Sequence, residues 1–320
     1  MDDNSNMLSG ILIIQFAYGT ISTIIYAMTV ILLVKNWQHF DNYFFKLYIY
    51  QFVFNMCMYW NFYVTGRLPA NTCKDCFLSS WFNSLSADSD SMFPFHLFLF
   101  IQYHLGFMSY TNVLMTSFNR YTLIFMQKRY DKIWFYGTYP LITVFFIIPL
   151  AYTYPLMENR AFVEYNGLFD TYVARTHADL SFLYSALLTW MVVTVLLSLG
   201  INIVCWCKIS RYSQATRQQR DYRIFLVSFV TFLLQCVVFL IATMNKVSAD
   251  VDPSKLLLIS RIGQTLSPFA NDLLTLTTPF VLIIFSKRVR QSIHHFFVKG
   301  SFVTSSVTPI HNIRTGLSKL

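Results

Sequence analysis

Long stretches without a charged side chain recur along this 320-residue sequence. The clearest covers residues 11–34, which contain no Asp, Glu, Lys or Arg, and Lys35 follows it directly. A helix needs roughly 20 mostly apolar residues to cross the hydrocarbon core of a bilayer. Because hydrocarbon offers no hydrogen-bond partner to a free backbone amide or carbonyl, such a stretch predicts a membrane-spanning helix.

Seven stretches of this kind are found along the chain. They cover residues 11–34, 47–63, 95–126, 133–157, 180–207, 224–244 and 255–285. Only 12% of the residues are charged, which is about half the usual share in soluble domains. The sequence therefore predicts an all-α membrane protein, a bundle of seven transmembrane helices.

The predicted bundle occupies residues 11–286 and follows an extracellular N-terminal segment of residues 1–10. Residues 287–297 place Val, Ile and Phe on one side of a helix and Lys and Arg on the other, a pattern typical of a short amphipathic helix at a membrane surface. The rest of the C-terminal region, up to residue 320, is rich in Ser and Thr and is predicted to be mobile.

The basic residues predict the orientation of the bundle, since Lys and Arg near span ends concentrate on the cytoplasmic side. With the N-terminus outside, most of the 24 Lys and Arg residues fall in cytoplasmic segments. The C-terminus is then cytoplasmic. The net charge of +9 is thus a signal of membrane topology, and a nucleic-acid partner is not predicted, because the sequence has no soluble face for a basic patch.

Arg120, in the triplet Asn119-Arg120-Tyr121, lies near the inner end of the third predicted span. Charged groups within a span are costly and usually face the bundle interior or a water-filled cavity. One interpretation is a basic anchor that reaches the lipid headgroups. The other is a cytoplasm-facing switch whose partners differ between two packings of the bundle.

Asp272 lies beside Asn271 near the middle of the seventh predicted span. Arg261 is eleven residues earlier, roughly 16 Å away along a helix axis, so the two cannot pair directly. Asp272 is a candidate for an ion, water or polar-network site, and a structural hydrogen-bonding role is an equally open interpretation.

The outer half of the third span is the most polar outer region of the chain. His96 and His104 are eight residues apart there, about 12 Å along a helix, so they cannot chelate one metal. A mixture of aromatic and polar walls suits a small organic ligand. The predicted ligand-pocket residues are His96, Gln102, Tyr103, His104 and Phe107.

Cys73 and Cys76 share one predicted outer loop, where oxidation is allowed. From the sequence they can pair with each other or stay free.

Two blocks of the sequence resemble a known family. Residues 117–122 read SFNRYT and lead to KRYDKIW at 128–134; residues 271–280 read NDLLTLTTPF and lead to IFS at 284–286. Both blocks resemble the nematode serpentine receptor class gamma family, a group of G-protein-coupled-receptor-like chemoreceptors. The resemblance implies a chemosensory receptor of the plasma membrane, found in sensory-neuron cilia, that binds a small-molecule cue and signals through a heterotrimeric G protein.

The resemblance also implies a cytoplasmic coupling face and an intramembrane polar network. The coupling face would comprise Asn119, Arg120, Tyr121, Arg217, Arg220 and Arg223, and the network Asn271, Asp272 and Pro279. The chain departs from the rhodopsin-like pattern at several points, among them the sixth span without a proline and the missing Cys pair between the third span and the second outer loop. Asn119 stands where that pattern has an acid, and Thr278-Pro279-Phe280 lacks the usual Asn before the proline and the tyrosine that follows it.

A ligand-driven receptor is therefore the predicted function. A transporter or channel is the alternative. Such a protein would require ion-coordinating acids in related halves of the chain, and only Asp272 is available. An enzyme is not predicted, because no paired carboxylates, activated nucleophile or metal-ligand set is found within the spans. No metal or cofactor is predicted either.

Overall fold

The computed structural model describes residues 3–40, 43–89, 92–211, 220–250 and 257–299 of the chain. Seven long helices lie in this part, and the seven-helix prediction is confirmed. Their bounds are Asp3–Lys35 (α1), Tyr43–Phe62 (α2), Phe95–Phe125 (α3), Tyr130–Thr153 (α4), Leu180–Ser210 (α5), Arg220–Asp250 (α6) and Leu257–Phe285 (α7), and Lys287–Lys299 (α8) follows the seventh. Short helical segments occupy Trp37–Phe40, Leu68–Ala70, Ser79–Asn83 and Pro155–Glu158.

Five of the long helices are apolar enough to cross a membrane by length and composition alone. These spans lie in α1, α4, α5, α6 and α7. The other two, α2 and α3, carry many polar and aromatic side chains, and α3 buries them on most of its circumference. The polarity of α3 is explained by this position, because its side chains meet protein on most sides and lipid on few.

The helix that begins with α2 continues beyond the end that the sequence predicts. Residues Tyr63–Arg67 form a π-helical segment, and Leu68–Ala70 add one further helical turn. The helix thus extends seven residues beyond the predicted span, which ends at residue 63. Pro69 has no backbone N–H, so it leaves one gap in the helical hydrogen bonds between Leu68, which donates to the Tyr63 carbonyl, and Asn71, which donates to the Arg67 carbonyl.

A β-hairpin that the sequence analysis did not predict lies between α4 and α5. Strands Ala161–Asn166 (β1) and Thr171–Thr176 (β2) pair antiparallel, with Val163 opposite Ala174. Both strands are rich in β-branched and aromatic residues, which is the usual signal for a strand. Asp170 closes the turn with a positive φ of 50°, a conformation that Asp tolerates better than most residues.

The hairpin packs against the loop that joins α2 to α3. The Val163 N–H donates to the Leu85 carbonyl at 2.9 Å, and the rings of Phe82 and Tyr172 stack with their centroids 5.2 Å apart. A disulfide joins Cys73 to Cys76 in the same loop, which answers the question that the sequence left open. The hairpin and residues 73–89 are called the cap below, and the end of the bundle that carries them is the hairpin end.

The opposite end of the bundle is called the tail end, because α8 begins there. Val289 of α8 is 2% exposed and joins a buried cluster with Phe40, Phe45 and Leu282. The amphipathic helix predicted after the last span is thus present, and its apolar side packs on the bundle. The predicted mobile tail, from residue 300 onward, lies outside the described residues.

Candidate functional site

A buried ion pair joins α7 to the π-helical segment that continues α2. Arg67 and Asp272 form a salt bridge, with 0% of the Arg67 residue and 6% of Asp272 exposed. Two charges inside a protein are costly to desolvate, and they are tolerated only when good geometry and further hydrogen bonds compensate them. Residue 67 lies beyond the second predicted span, 47–63, so its burial within the bundle was not predicted.

Three tyrosines complete this cluster. The Tyr18 hydroxyl, on α1, donates to the second carboxylate oxygen of Asp272. Arg67 donates from Nη1 to the Tyr59 hydroxyl at 3.4 Å, and the Tyr59 and Tyr63 hydroxyls are 3.0 Å apart. The guanidinium carbon also lies 4.5 Å from the centroid of the Tyr63 ring, an attractive arrangement for a cation. We call Tyr18, Tyr59, Tyr63, Arg67 and Asp272 the tyrosine cluster.

A glycine lets α1 approach the tyrosine cluster closely. A Cβ atom on Gly19 would lie 1.5 Å from the Tyr59 hydroxyl oxygen and 2.6 Å from the ring carbon that bears it. Only a residue without a side chain therefore fits beside Tyr59 at this position.

A sequence signal for the cluster exists, although the sequence analysis did not use it. Tyr59, Tyr63 and Arg67 are spaced four residues apart, so they would share one face of a helix that continued through them. From the sequence, Arg261 was judged too far along the helix to pair directly with Asp272. The side chain of Arg261 lies outside the described residues.

The other two members of the predicted polar network do not join the ion pair. Asn271 is 7% exposed, and neither atom of its amide group has a hydrogen-bond partner in the part of the chain that the structure describes. Pro279 is buried, two helical turns further along α7, about 10 Å from Asp272 along the axis.

The five predicted ligand-pocket residues of α3 point to different neighbours. Gln102 accepts a hydrogen bond from Asn61 of α2 at 3.3 Å. The Tyr103 ring meets the Tyr184 ring of α5, with centroids 6.1 Å apart. The Phe107 ring is fully buried. The structure therefore does not gather these side chains around one cavity.

Phe107 stacks on Tyr152 of α4, with centroids 5.9 Å apart, and meets the edge of Trp190 of α5. His96 lines a different feature, a cleft of about 360 Å³ at the hairpin end. Glu158 and Arg160, which follow α4, line the same cleft.

His104 lies buried between α3 and α4. Its Nδ1 is 3.1 Å from the Thr153 hydroxyl, which donates its own proton to the Pro149 carbonyl at 3.0 Å. Since that hydroxyl has one proton, Nδ1 of His104 must be the donor, and Nε2 is left as an acceptor. Nε2 is buried without a hydrogen-bond partner within the described ranges.

Further buried polar atoms lie half-way along the bundle. Two of the residues that carry them, Tyr110 and Gln235, were not predicted from the sequence. Gln235 of α6 is 0% exposed and donates to the Tyr110 backbone carbonyl of α3 at 3.3 Å. Among the described residues, the Gln235 side-chain oxygen and the Tyr110 hydroxyl have no partner. The Tyr110 ring belongs to one buried cluster with Ala270, the neighbour of Asn271. Unsatisfied polar atoms are thus carried by α3, α6 and α7, three helices that meet in this cluster.

At the tail end, the triplet Asn119–Tyr121 contacts three different sides of the bundle. Asn119 donates to the Tyr130 hydroxyl of α4 at 3.1 Å. The Arg120 guanidinium carbon lies 3.9 Å from the centroid of the Phe44 ring of α2, and Arg120 is 1% exposed. Tyr121 packs on a cluster of α5 and α6 residues. In this packing Arg120 lies inside the bundle and does not reach the headgroup region.

The basic residues predicted to accompany Arg120 are only partly described. Arg217 lies outside the described residues. Arg220 and Arg223 lie in the first turns of α6, and their side chains are outside the described part of the chain. Arg211, just after α5, is exposed.

One electrostatic site lies outside the spans, in the cap. The Asp170 carboxylate accepts hydrogen bonds from the Tyr165 hydroxyl at 2.7 Å and from the Lys74 backbone N–H at 3.1 Å. The Tyr165 bond, followed by the Lys74 bond, lowers the pKa of Asp170. The same carboxylate raises the pKa of Tyr165 to about 12.

No cluster of three or more His, Cys, Asp or Glu side chains that could hold a metal ion is found in residues 3–40, 43–89, 92–211, 220–250 and 257–299.

Comparison with known proteins finds matches over almost the whole chain. The family described as Srg family chemoreceptor matches residues 12–293. Serpentine receptor class gamma-31 of Caenorhabditis elegans is 69% identical over 307 residues, which cover 96% of this chain and 98% of that protein. The matched region includes the tyrosine cluster, the interior polar atoms and the Asn119–Tyr121 triplet.

Proposed function

Since this chain belongs to the Srg family of chemoreceptors, we propose that it binds an external small molecule within the bundle and activates a heterotrimeric G protein at the tail end. The chain is a multi-pass membrane protein and a chemosensory receptor of the seven-helix type. The ligand site, the coupling residues and the orientation in the membrane are the parts that we propose.

The proposed orientation places the hairpin end outside the cell. Lys and Arg residues concentrate in the segments at the tail end, and such segments are cytoplasmic in most membrane proteins. The disulfide between Cys73 and Cys76 in the cap agrees with an oxidising, extracellular location. By family likeness we further propose the plasma membrane of sensory cilia as its location.

Buried polar atoms without partners carry the proposal for the ligand site. Among the described residues they are the hydroxyl of Tyr110, the side-chain oxygen of Gln235 and the amide of Asn271, on α3, α6 and α7. The Nε2 of His104 also lacks a partner there, but His104 faces α4 and is not part of this group. Each unsatisfied buried group costs about 1–3 kcal/mol. A small molecule that both donates and accepts hydrogen bonds would recover part of this free energy. His96, Gln102, Tyr103 and Phe107 lie closer to the hairpin end of α3 than Tyr110 does, and we propose that the ligand enters from that end.

The proposed coupling site is the Asn119–Tyr121 triplet. A ligand shifts a receptor only through different affinities for two packings, which is typically worth 1–3 kcal/mol. We propose that the second packing turns Arg120 away from Phe44 towards the tail end. There it would join Arg217, Arg220 and Arg223 in a basic face for the G protein.

The experiment is a screen of small organic molecules on cells that display the receptor, with binding and second-messenger readouts. Gln235→Leu should lose binding, because it removes an acceptor from the ligand site. Arg120→Ala should retain binding and lose the second-messenger response. Arg175→Gln, on the exposed face of the hairpin, is the matched control and should retain both.

Surface display of every variant is measured with an epitope label, so that loss of function is separated from loss of folding. A normal second-messenger response from Arg120→Ala would contradict the coupling role. Unchanged affinity in Gln235→Leu would contradict the ligand site. Ion or solute flux through the purified protein in vesicles, without any ligand, would contradict the receptor mechanism itself.

A further inference from the structure

The tyrosine cluster connects three helices at one level of the bundle. Asp272 of α7 accepts from Tyr18 of α1 on one carboxylate oxygen and from Arg67, which continues α2, on the other. Each bond has a defined direction, and each crosses from one helix to another. A contact of this kind specifies the position of α7, whereas a purely apolar contact leaves it free to slide.

The cluster resists separation because both of its charges are buried. If α7 moved away, Arg67 and Asp272 would each remain as an uncompensated charge away from water, which is strongly destabilising. That cost exceeds the coupling free energy by which a ligand usually shifts a receptor. The ion pair is therefore suited to stay formed while contacts elsewhere in the bundle change.

The same three helices are joined again at two deeper levels. Half-way along, Asn55 of α2 donates to the Thr275 carbonyl of α7 at 3.1 Å and to the Tyr26 hydroxyl of α1 at 3.5 Å. Towards the tail end, Tyr26, Tyr48 and Leu282 of these helices meet in one buried cluster. The helices α4 and α5 differ from them, since only 17% and 22% of their spans are buried, against 61% for α7.

We propose that Arg67 and Asp272 are positioning residues that fix α7 to α1 and α2 at the hairpin end, so that these three helices form one fixed unit. The proposal concerns the packing of the chain and does not depend on the ligand or the G protein. It gives a structural role to a buried ion pair that apolar side chains could otherwise replace.

The test measures the distance between α1 and α7 in the full-length protein in lipid nanodiscs. Spin labels are placed at Ile13 and Leu266, which are both exposed on the surface of the bundle. The four free cysteines, Cys57, Cys205, Cys207 and Cys236, are replaced by alanine in the background. Electron–electron double resonance then gives the distribution of the distance between the two labels.

The decisive variant is the double substitution Arg67→Met with Asp272→Leu. It leaves no lone charge, so it should fold, because buried ion pairs are often replaced by apolar side chains without loss of stability. We expect its single narrow distance to be lost and replaced by a broad distribution. A distribution equal to that of the unsubstituted protein would overturn the proposal, since the pair would then be merely a tolerated part of the core.

Tyr18→Phe is the second variant, and it decides the matter if the double variant is not recovered folded. It removes only the bond from α1 to Asp272 and keeps the ion pair and the volume of the ring. We expect a broadened α1–α7 distance, and an unchanged one would overturn the proposal. Glu164→Gln, which breaks the exposed pair with Arg175, is the control and should leave the distance unchanged.

Discussion

Gly19→Ala is expected to destabilise the protein, although it adds only one methyl group. The new Cβ would lie 1.5 Å from the Tyr59 hydroxyl oxygen, and ordinary contact begins at 3.4 Å. The hydroxyl must therefore move by about 2 Å. That movement breaks its bond to Tyr63, now 3.0 Å long, and the bond that it accepts from Arg67.

The expected magnitude follows from these losses. Two hydrogen bonds contribute about 0.5–1.5 kcal/mol each, and forcing extra volume into a packed site costs about 1–3 kcal/mol. The substitution also stabilises the helix by about 1 kcal/mol, because alanine is a better helix former than glycine. The net change in the free energy of unfolding is thus a loss of about 3 kcal/mol, enough to lower the Tm by several degrees.

The assay is thermal unfolding of the purified protein in one detergent at one heating rate. Gly10→Ala is the matched control on the same helix, because nothing lies within 4 Å of its new Cβ, and it should keep or raise the Tm. Gly19→Ala and Tyr59→Phe should be strongly non-additive, since both remove the same two hydrogen bonds. Equal Tm values for the two alanine variants, or additive losses, would refute the reasoning.

Two further predictions concern the cap and the tail end. Because the folded-state pKa of Asp170 lies below its ordinary 3.8, its contribution to stability is present above about pH 4 and is lost as the pH falls through the lower folded value. The protection of the backbone amides of residues 161–176 against hydrogen exchange, taken relative to their intrinsic exchange rates at each pH, should therefore fall at acid pH, and less steeply in Tyr165→Phe; identical pH profiles of this protection would contradict the prediction. Trp134→Phe should lose more than the ~0.5–1.5 kcal/mol of one hydrogen bond, because the indole N–H donates to the Thr122 hydroxyl at 2.8 Å and the smaller ring leaves a cavity at a fully buried position. An unchanged Tm would show that this bond adds nothing.

The seven helices could be predicted because hydrocarbon imposes the same demand on every span. The length and apolar character of residues 11–34 require a helix whatever they pack against. The hairpin at Ala161–Asn166 and Thr171–Thr176 was missed although both strands have a composition typical of strands, because six-residue segments are far too short to be candidate spans.

The partner of Asp272 could not be predicted in the same way. Arg67 stands between Gly66 and Pro69, a combination that usually marks the end of a helix. Burial of Arg67 depends on a π-helical segment and on a carboxylate 205 residues further along the chain. The four-residue spacing of Tyr59, Tyr63 and Arg67 indicates a shared helix face, but local periodicity cannot identify a carboxylate partner so far along the chain.

The neighbours of the α3 side chains were also beyond the sequence. His104 and Phe107 are three residues apart, so the angle between them about the helix is known. Which helix each one faces depends on how the whole bundle is assembled. The sequence could therefore identify the polar region of α3, but it could not show which of its side chains face α2, α4 or α5.

The Asn119–Tyr121 triplet has a mechanical consequence. Successive residues of a helix differ by about 100°, which is how three adjacent side chains engage α4, α2 and the α5–α6 pair in turn. A twist of α3 about its own axis would displace all three interfaces at the same instant. A rotation of α3 that begins near the hairpin end would therefore change these three interfaces together at the tail end, and not one after another.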